Sequence, residues 1–306
     1  MPDPRYAIVN GSPVPYAAAT VHLDAPAVGF AATVFEGIRA YKDPAKGTLH
    51  VFRLQEHVHR LMVSMRILRF EHDLRERAIA DQVLEAIRVN GFDDDSYVRV
   101  LAYIEGAGVI GTPGPVSVAV TARMRGRGSG AERALKCGVS SWTRIADNAM
   151  PARVKAAANY VNSRLAAMQV RSQGFDAALL LGADGKVTEA HSSCFFMVRN
   201  GELITPPVTA GILESVTRDT VMRLHAELHG RACIERLVDR TELYVADEIF
   251  LCGTGQEVAP VASVDHVPVG SGAEGPVTKA LRERYFAVVR GMTSDHASWR
   301  TPVPMP

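Results

Sequence analysis

Lysine is the scarce charged residue of this chain, six against 28 arginines in 306 residues, so a lysine set among small apolar neighbours calls for a chemical reason. Cysteine is scarce as well. Cys137, Cys194, Cys233 and Cys252 lie apart with no C-x-x-C spacing, which makes a reducing cytoplasm the simplest setting. Charge of one sign is missing: 34 basic against 33 acidic residues leave +1, too little field to hold nucleic acid or an anionic membrane, which leaves a small-molecule partner. No apolar run approaches bilayer length, and no basic, then apolar, leader opens the sequence. Repeats and low-complexity tracts are also lacking.

What remains is an ordinary globular composition, 47% hydrophobic, long enough for one large or two medium domains. Residues 7–10 and Gly11 read as a strand and an Asn-Gly turn. Leu54, Val58, Leu61, Met62, Met65 and Leu68 recur at helical spacing, as do Ile79, Val83 and Ile87 before an Asn90-Gly91 stop. Strands are expected at 97–104, 116–120, 135–142, 177–181, 194–198 and 248–251, and helices at 159–173, 215–228 and 276–289. Short strands interrupted by a few helices, without regular β-α-β alternation, imply an α+β fold. Gly253-Thr-Gly255 therefore lacks the setting of a dinucleotide loop. The glycine- and arginine-rich stretch 123–130 is the clearest break. It separates an expected small N-terminal domain, 1–122, from a larger C-terminal domain, 134–306, with 123–133 as the loop between.

Lys155 stands in Pro151-Ala-Arg-Val-Lys155-Ala-Ala-Ala-Asn159-Tyr160. Apolar neighbours strip hydration from an amine, disfavour its charged form and free it to attack an aldehyde, although a surface lysine near a helix start is the ordinary alternative. Glu189, before a small polar turn and an apolar strand, could hold a ring nitrogen protonated or could be a solvated loop glutamate. Ile212-Leu-Glu-Ser215-Val216-Thr217-Arg218-Asp219 opens a helix that Ser215 or Thr217 can cap, and its first-turn amides suit a phosphate. Thr254 lies in a tight turn whose hydroxyl and amides could face an anion. Arg60 could supply a charge-assisted bond to that phosphate, or pair with Glu56 on a helix surface. His57 and His59 are two residues apart, diverge on a helix, and give no metal pair.

In this order, the fragments resemble the fold-type IV pyridoxal-phosphate aminotransferases, close to the branched-chain amino acid aminotransferases. The likeness is carried by Thr33-Val-Phe35-Glu36-Gly37-Ile38-Arg39, His57 to Leu61, Ser96-Tyr97-Val-Arg99, Ser140-Ser-Trp142-Thr-Arg144 and Lys155 through Leu165. It continues in Glu189, Leu203-Ile-Thr-Pro206-Pro207, Gly211 through Asp219, Leu243-Tyr-Val-Ala-Asp247-Glu248, Cys252 to Glu257 and Gly275-Pro276-Val-Thr278. The resemblance implies that Lys155 forms the Schiff base with pyridoxal 5'-phosphate and shuttles the substrate proton. Glu189 would pair with the pyridine nitrogen and Tyr160 with the phenolic oxygen. Arg60, Ser192, the amides of Val216 and Thr217, and Thr254 would hold the phosphate. Phe30, Phe35, Gly37, Tyr97, Arg99, Thr254 and Gly255 would surround the substrate. It further implies a homodimer or larger assembly, a barrel-like sheet in the C-terminal domain, and an active site between the domains.

Departures from the family pattern bear on substrate. Phe30 replaces a usual tyrosine, Gly128 falls near the place of an expected loop tyrosine, and Glu189-Ala-His191-Ser192-Ser193-Cys194 replaces a glycine-rich motif. A phenylalanine-lined pocket favours apolar side chains, while Arg99 with Arg123, Arg125 or Arg127 could accept a second carboxylate. The expected reaction is transfer of an amino group between a hydrophobic or branched-chain L-amino acid and 2-oxoglutarate. Alternatives are a transaminase of D-amino acids or (R)-amines, a lyase of the aminodeoxychorismate type that releases pyruvate, and a non-enzymatic protein with an unmodified Lys155.

Overall fold

The computed structural model describes residues 3–128 and 133–304, so residues 129–132 of the expected loop lie outside the described residues. The chain forms two compact units of nearly equal length, not a small and a large one. The first joins the residues up to Gly126 with Val154–Ala158 and the segment from Ala287 onward; the second joins Arg127–Arg153 with Asn159–Phe286. Two stretches expected in the C-terminal domain therefore belong with the first unit. The reason is strand pairing: Ala156 bridges to Val34, and the strand Arg300–Pro302 pairs with Leu49–Phe52.

The first unit contains β1 (Tyr6–Val9), β2 (Ser12–Pro15), the short α1 (Pro26–Gly29), β3 (Thr33–Lys42), β4 (Leu49–Phe52), α2 (Leu54–Ile67), α3 (Glu76–Arg88), β5 (Ser96–Ile104) and β6 (Val116–Met124). With Arg300–Pro302 at one edge they make a seven-stranded sheet, continuing β4-β3-β5-β6-β1-β2, in which every neighbour is antiparallel. Strand alternation divides its faces. Val98, Val100 and Ala102 of β5 are buried, while Arg99 between them is exposed. Of the predicted stripe on α2, Leu54, Val58, Leu61 and Met65 are buried, Met62 is half-buried and Leu68 is the half-buried C-cap, while Ile79, Val83 and Ile87 of α3 are all buried. β6 runs past the expected end at Val120 because its ladder with β5 holds as far as the Ser96–Met124 pair.

The second unit contains β7 (Leu135–Val139), α4 (Asn159–Ser172), β8 (Ala177–Leu181), β9 (Lys186–Ala190), β10 (Cys194–Arg199), β11 (Glu202–Thr205), α5 (Val216–His229), β12 (Ile234–Glu235), β13 (Val238–Asp239), β14 (Glu248–Gly253), β15 (Glu257–Val264), β16 (Val267–Pro268) and α6 (Pro276–Val289) as far as Phe286, its last three residues belonging to the first unit. Its strands run β12-β11-β10-β14-β15-β7-β8-β9-β13, with β16 on β15. β9 and β10 are joined by a tight Ala190–Ser193 bridge yet stand far apart in that order, so the sheet curls into the expected barrel-like half. Phe195, Met197, Leu251, Val261 and Leu179 fill its core. β7 stops at Val139, short of the expected Trp142, because the Ser140 hydroxyl accepts the Trp142 N–H and Gln169 accepts the Ser141 N–H, turning the chain. Among the described residues no helix is long and apolar enough to cross a membrane.

Candidate active site

Lys155 rides on the segment Val154–Ala158, which runs beside β3. Phe35 N–H donates to Lys155 O at 2.9 Å, Ala157 N–H donates to Thr33 O at 2.9 Å, and Ser64 Oγ accepts the Lys155 N–H at 3.4 Å. Val154 and Ala156 are buried on either side. The lysine is half-buried, with Nζ 4.9 Å from the centre of the Phe35 ring. Its backbone is fixed, which leaves motion to the side chain.

Beneath it, Glu36 shares the buried parity of β3 with Val34, Ile38 and Ala40, all fully buried. A charge there requires partners, and two arrive from α2. Arg60 Nε and Nη2 donate to the two carboxylate oxygens at 2.6 and 2.8 Å, and His57 Nδ1 lies 2.8 Å from Oε2. Burial by itself raises the Glu36 pKa, but the charges and hydrogen bonds of Arg60 and His57 outweigh it and hold the carboxyl well below the usual range. Burial pushes His57 down, against the pull of Glu36. Arg60 is thus not a partner of Glu56, which instead takes Arg53 at 2.7 Å. His59 points elsewhere, exposed beside Glu76, as the two-residue spacing requires.

The opposite face of the sheet gathers Phe35, Gly37, Tyr97 and Arg99. Gly37 pairs with Arg99, and a Cβ on Gly37 would meet the Tyr97 hydroxyl at 2.0 Å, so only glycine admits that tyrosine. The Arg125 guanidinium lies 5.1 Å over the Tyr97 ring. Arg123 is engaged with Asp3 and the Tyr16 hydroxyl, which takes it away from the role of carboxylate acceptor. Phe30 is the C-cap of α1 and is half exposed.

In the second unit Glu189 is buried and doubly held. Arg144 Nη2 lies 2.8 Å from Oε1, and the Leu213 N–H donates to Oε2 at 3.1 Å, while Arg144 Nε donates to Gly211 O. This Arg144–Glu189 pair fixes the carboxylate in direction and is absent from any local sequence pattern. Tyr160 lies in the first turn of α4, half-buried.

Three anion-suited fragments meet in the same unit. β10 begins at Cys194 and the antiparallel β14 ends at Gly253, with Cys194 opposite Cys252, so Ser192-Ser193 and Gly253-Thr254 leave the same end of the sheet. A Cβ on Gly253 would rest 3.6 Å from Ser192 O and Ser193 Cα. The Cys194 thiol lies beside Ser215, which brings in the start of α5. Ser215, not Thr217, is the cap: its Oγ accepts the Arg218 N–H at 3.2 Å, so the cap is spent on the third amide and not on those of Val216 and Thr217. Hydroxyls and a helix N-terminus suit a phosphate.

The sequence matches the amino-transferase class IV family over residues 33–264. The branched-chain-amino-acid aminotransferase of Escherichia coli K12 is 37% identical over 96% of each chain, and a probable one of Aquifex aeolicus is 35% identical over 97% of this chain and 96% of that one. Among solved structures, the PLP form of the Thermobaculum terrenum branched-chain amino acid aminotransferase superposes with a TM-score of 0.93 at 41% identity, covering 100% of both chains. A lysine on a segment bonded to β3, a guanidinium-held glutamate, a phosphate-suited sheet end and these likenesses agree: the chain belongs to the class IV aminotransferases.

Proposed function

We propose that this aminotransferase moves an amino group between a hydrophobic or branched-chain L-amino acid and 2-oxoglutarate, with pyridoxal 5'-phosphate as cofactor. The observation that carries the reading is Lys155, its backbone pinned to β3 and its amine over Phe35. When bound, the pyridoxal ring supplies an electron sink for the pair left as the α-proton departs. Lys155 holds and returns that proton. Glu189, aimed by Arg144 and the Leu213 amide, accepts the hydrogen bond of the ring nitrogen, and Tyr160 serves the phenolic oxygen. Arg60, Ser192, the Val216 and Thr217 amides and Thr254 anchor the phosphate.

Phe35, Tyr97 and Phe30 suit an apolar side chain, and Gly37 keeps the space that Tyr97 fills. The Thr254-Gly255 turn offers donors to the α-carboxylate. Arg99, exposed on the face with Tyr97, suits the distal carboxylate of glutamate and 2-oxoglutarate, so one site serves both half-reactions.

A homodimer is supported by exposed Leu23, Val28, Phe30, Val109 and Ile110, whose segments meet where Gly108 N–H donates to Asp24 O at 3.3 Å. Sedimentation at twice the chain mass is expected; a monomer would reject this part of the proposal. Four free cysteines suit a cytoplasmic setting.

The deciding experiment mixes the holoenzyme singly with L-leucine, L-glutamate, D-alanine and an (R)-arylalkylamine and follows the cofactor absorbance. Rapid conversion by both L-amino acids is expected. Conversion only by D-alanine or the amine would move the protein to that class of transaminase. Lys155→Ala should abolish both the lysine-bound cofactor absorbance and turnover.

A further inference from the structure

Glu257 opens β15 with φ +60, in the left-handed region where a non-glycine residue is strained, and it is 1% exposed. Such strain persists where surrounding contacts over-determine it. Its Oε2 accepts the Gly128 N–H at 2.7 Å, a charge-assisted bond in a buried setting. Gly128 reaches that position only because it lacks a Cβ, which would stand 2.7 Å from Gln256 O and 3.1 Å from Gly255 O. Arg127 adds a second anchor, its guanidinium 4.1 Å over the Phe286 ring.

The residues so held are the turn that follows β14. Gln256 N–H closes it on Gly253 O at 3.1 Å, and Gly253 pairs with Glu257 across the ladder. The turn is therefore gripped on one side by the β14–β15 ladder and on the other by the backbone of Gly128. We infer that the Glu257 carboxylate, seated on the Gly128 amide, is a positioning device for the Thr254-Gly255 turn, and so sets affinity for the substrate's α-carboxylate without touching the proton transfer at Lys155. A bulky residue at 128 would be incompatible with this seat, which gives the glycine found there a positive role. The inference rests on the proposed role of the turn in binding that carboxylate.

The test uses the holoenzyme and its Glu257→Gln, Glu257→Ala, Glu257→Gly and Gly128→Ala variants, with KM, kcat, thermal midpoint and calorimetric affinity for a branched carboxylic acid lacking the amino group. Glu257→Gln keeps an acceptor for the amide and should stay within about threefold of wild type. Glu257→Ala and Glu257→Gly should each raise KM and weaken carboxylate binding about tenfold, the worth of about 1.4 kcal/mol, with kcat within about twofold. Glycine suits φ +60, so Glu257→Gly should melt no lower than Glu257→Ala. Gly128→Ala should weaken the carboxylate with Glu257 intact. Unchanged affinity in Glu257→Gly, or losses that merely follow the melting temperature, would overturn the inference while leaving the transaminase reading in place. A wild-type holoenzyme that turns over but binds no such acid would remove the turn's role and the inference with it; a wild type with no cofactor on Lys155 would instead defeat the function.

Discussion

Arg60 carries two duties that pull a substitution in one direction. It is expected to meet the phosphate, and it also neutralises Glu36, which has no exposure to water. Arg60→Ala should therefore weaken cofactor retention and also lower the stability of the apoprotein by about 3–5 kcal/mol, because a buried carboxylate loses its bidentate partner. Urea unfolding without cofactor checks this, and removing Glu36 as well should recover part of the loss. An Arg60→Ala apoprotein as stable as wild type would show that Glu36 does not depend on it. Glu36 was legible as a motif residue but not as a buried one. The available signal was its parity: a glutamate alternating with Val34, Ile38 and Ala40 faces wherever they face. Arg144 gave no such signal, since only the fold brings it to Glu189.

At the scale of elements, the helix starts that local chemistry dictates were readable, and those made by distant residues were not. Ser215 caps α5 from the adjacent position, and Gly230, at φ +65, ends it. α6 starts differently: Glu248, on β14, accepts the Val277 N–H at 3.0 Å and the Thr278 N–H and hydroxyl at 2.8 and 2.7 Å. A Cβ on Gly275 would collide with the Glu248 side chain at 2.1 Å, so Asp247-Glu248 and Gly275-Pro276-Val-Thr278, two separate stretches in sequence, are one capping device. Glu248→Ala should cost about 1–3 kcal/mol by leaving buried donors unmet, with Glu248→Gln losing less. Equal thermal midpoints for Glu248→Ala and wild type would rule the cap out. β7 was read too long for a related reason: serines that can extend a strand here bond to their own turn and to Gln169.

For the whole molecule, acid is the weak side. The fold pulls the pKa of several carboxylates and histidines down, among them Glu36, Asp176, Glu242, His50, His57, His191 and His225. The native state thus binds fewer protons than the unfolded chain, and stability falls as pH falls. Histidines act first. His225, 1% exposed and with neither ring nitrogen hydrogen-bonded among the described residues, is pushed down to about 4 by burial and by the nearby His229 and Arg231, so its contribution is lost between about pH 6.5 and about 4. Carboxylates follow, with Glu242 held at about 2 by Arg236 and Arg199. Urea midpoints should fall steadily from pH 7 to 4, and His225→Leu should flatten the upper part by up to about 1.4 kcal/mol per pH unit. An unchanged slope in that variant would show that His225 takes up its proton in the folded state as readily as in the unfolded one. Fold class was readable from strand spacing, and the curled sheet only through the family resemblance that motif order carries. The partition of the chain was not, because it follows strand pairings between remote residues.

That partition has a consequence for recombination. The chain passes from one unit to the other four times, at 126–127, 153–154, 158–159 and 286–287, and the amine-bearing lysine arrives on the shortest visit. No single backbone cleavage yields a whole unit. A chimera that exchanged one unit for a relative's would need four junctions, two of them flanking Lys155 within five residues, so the segment bearing Lys155 must be inherited with the sheet it pairs with, whichever parent supplies the flanking chain.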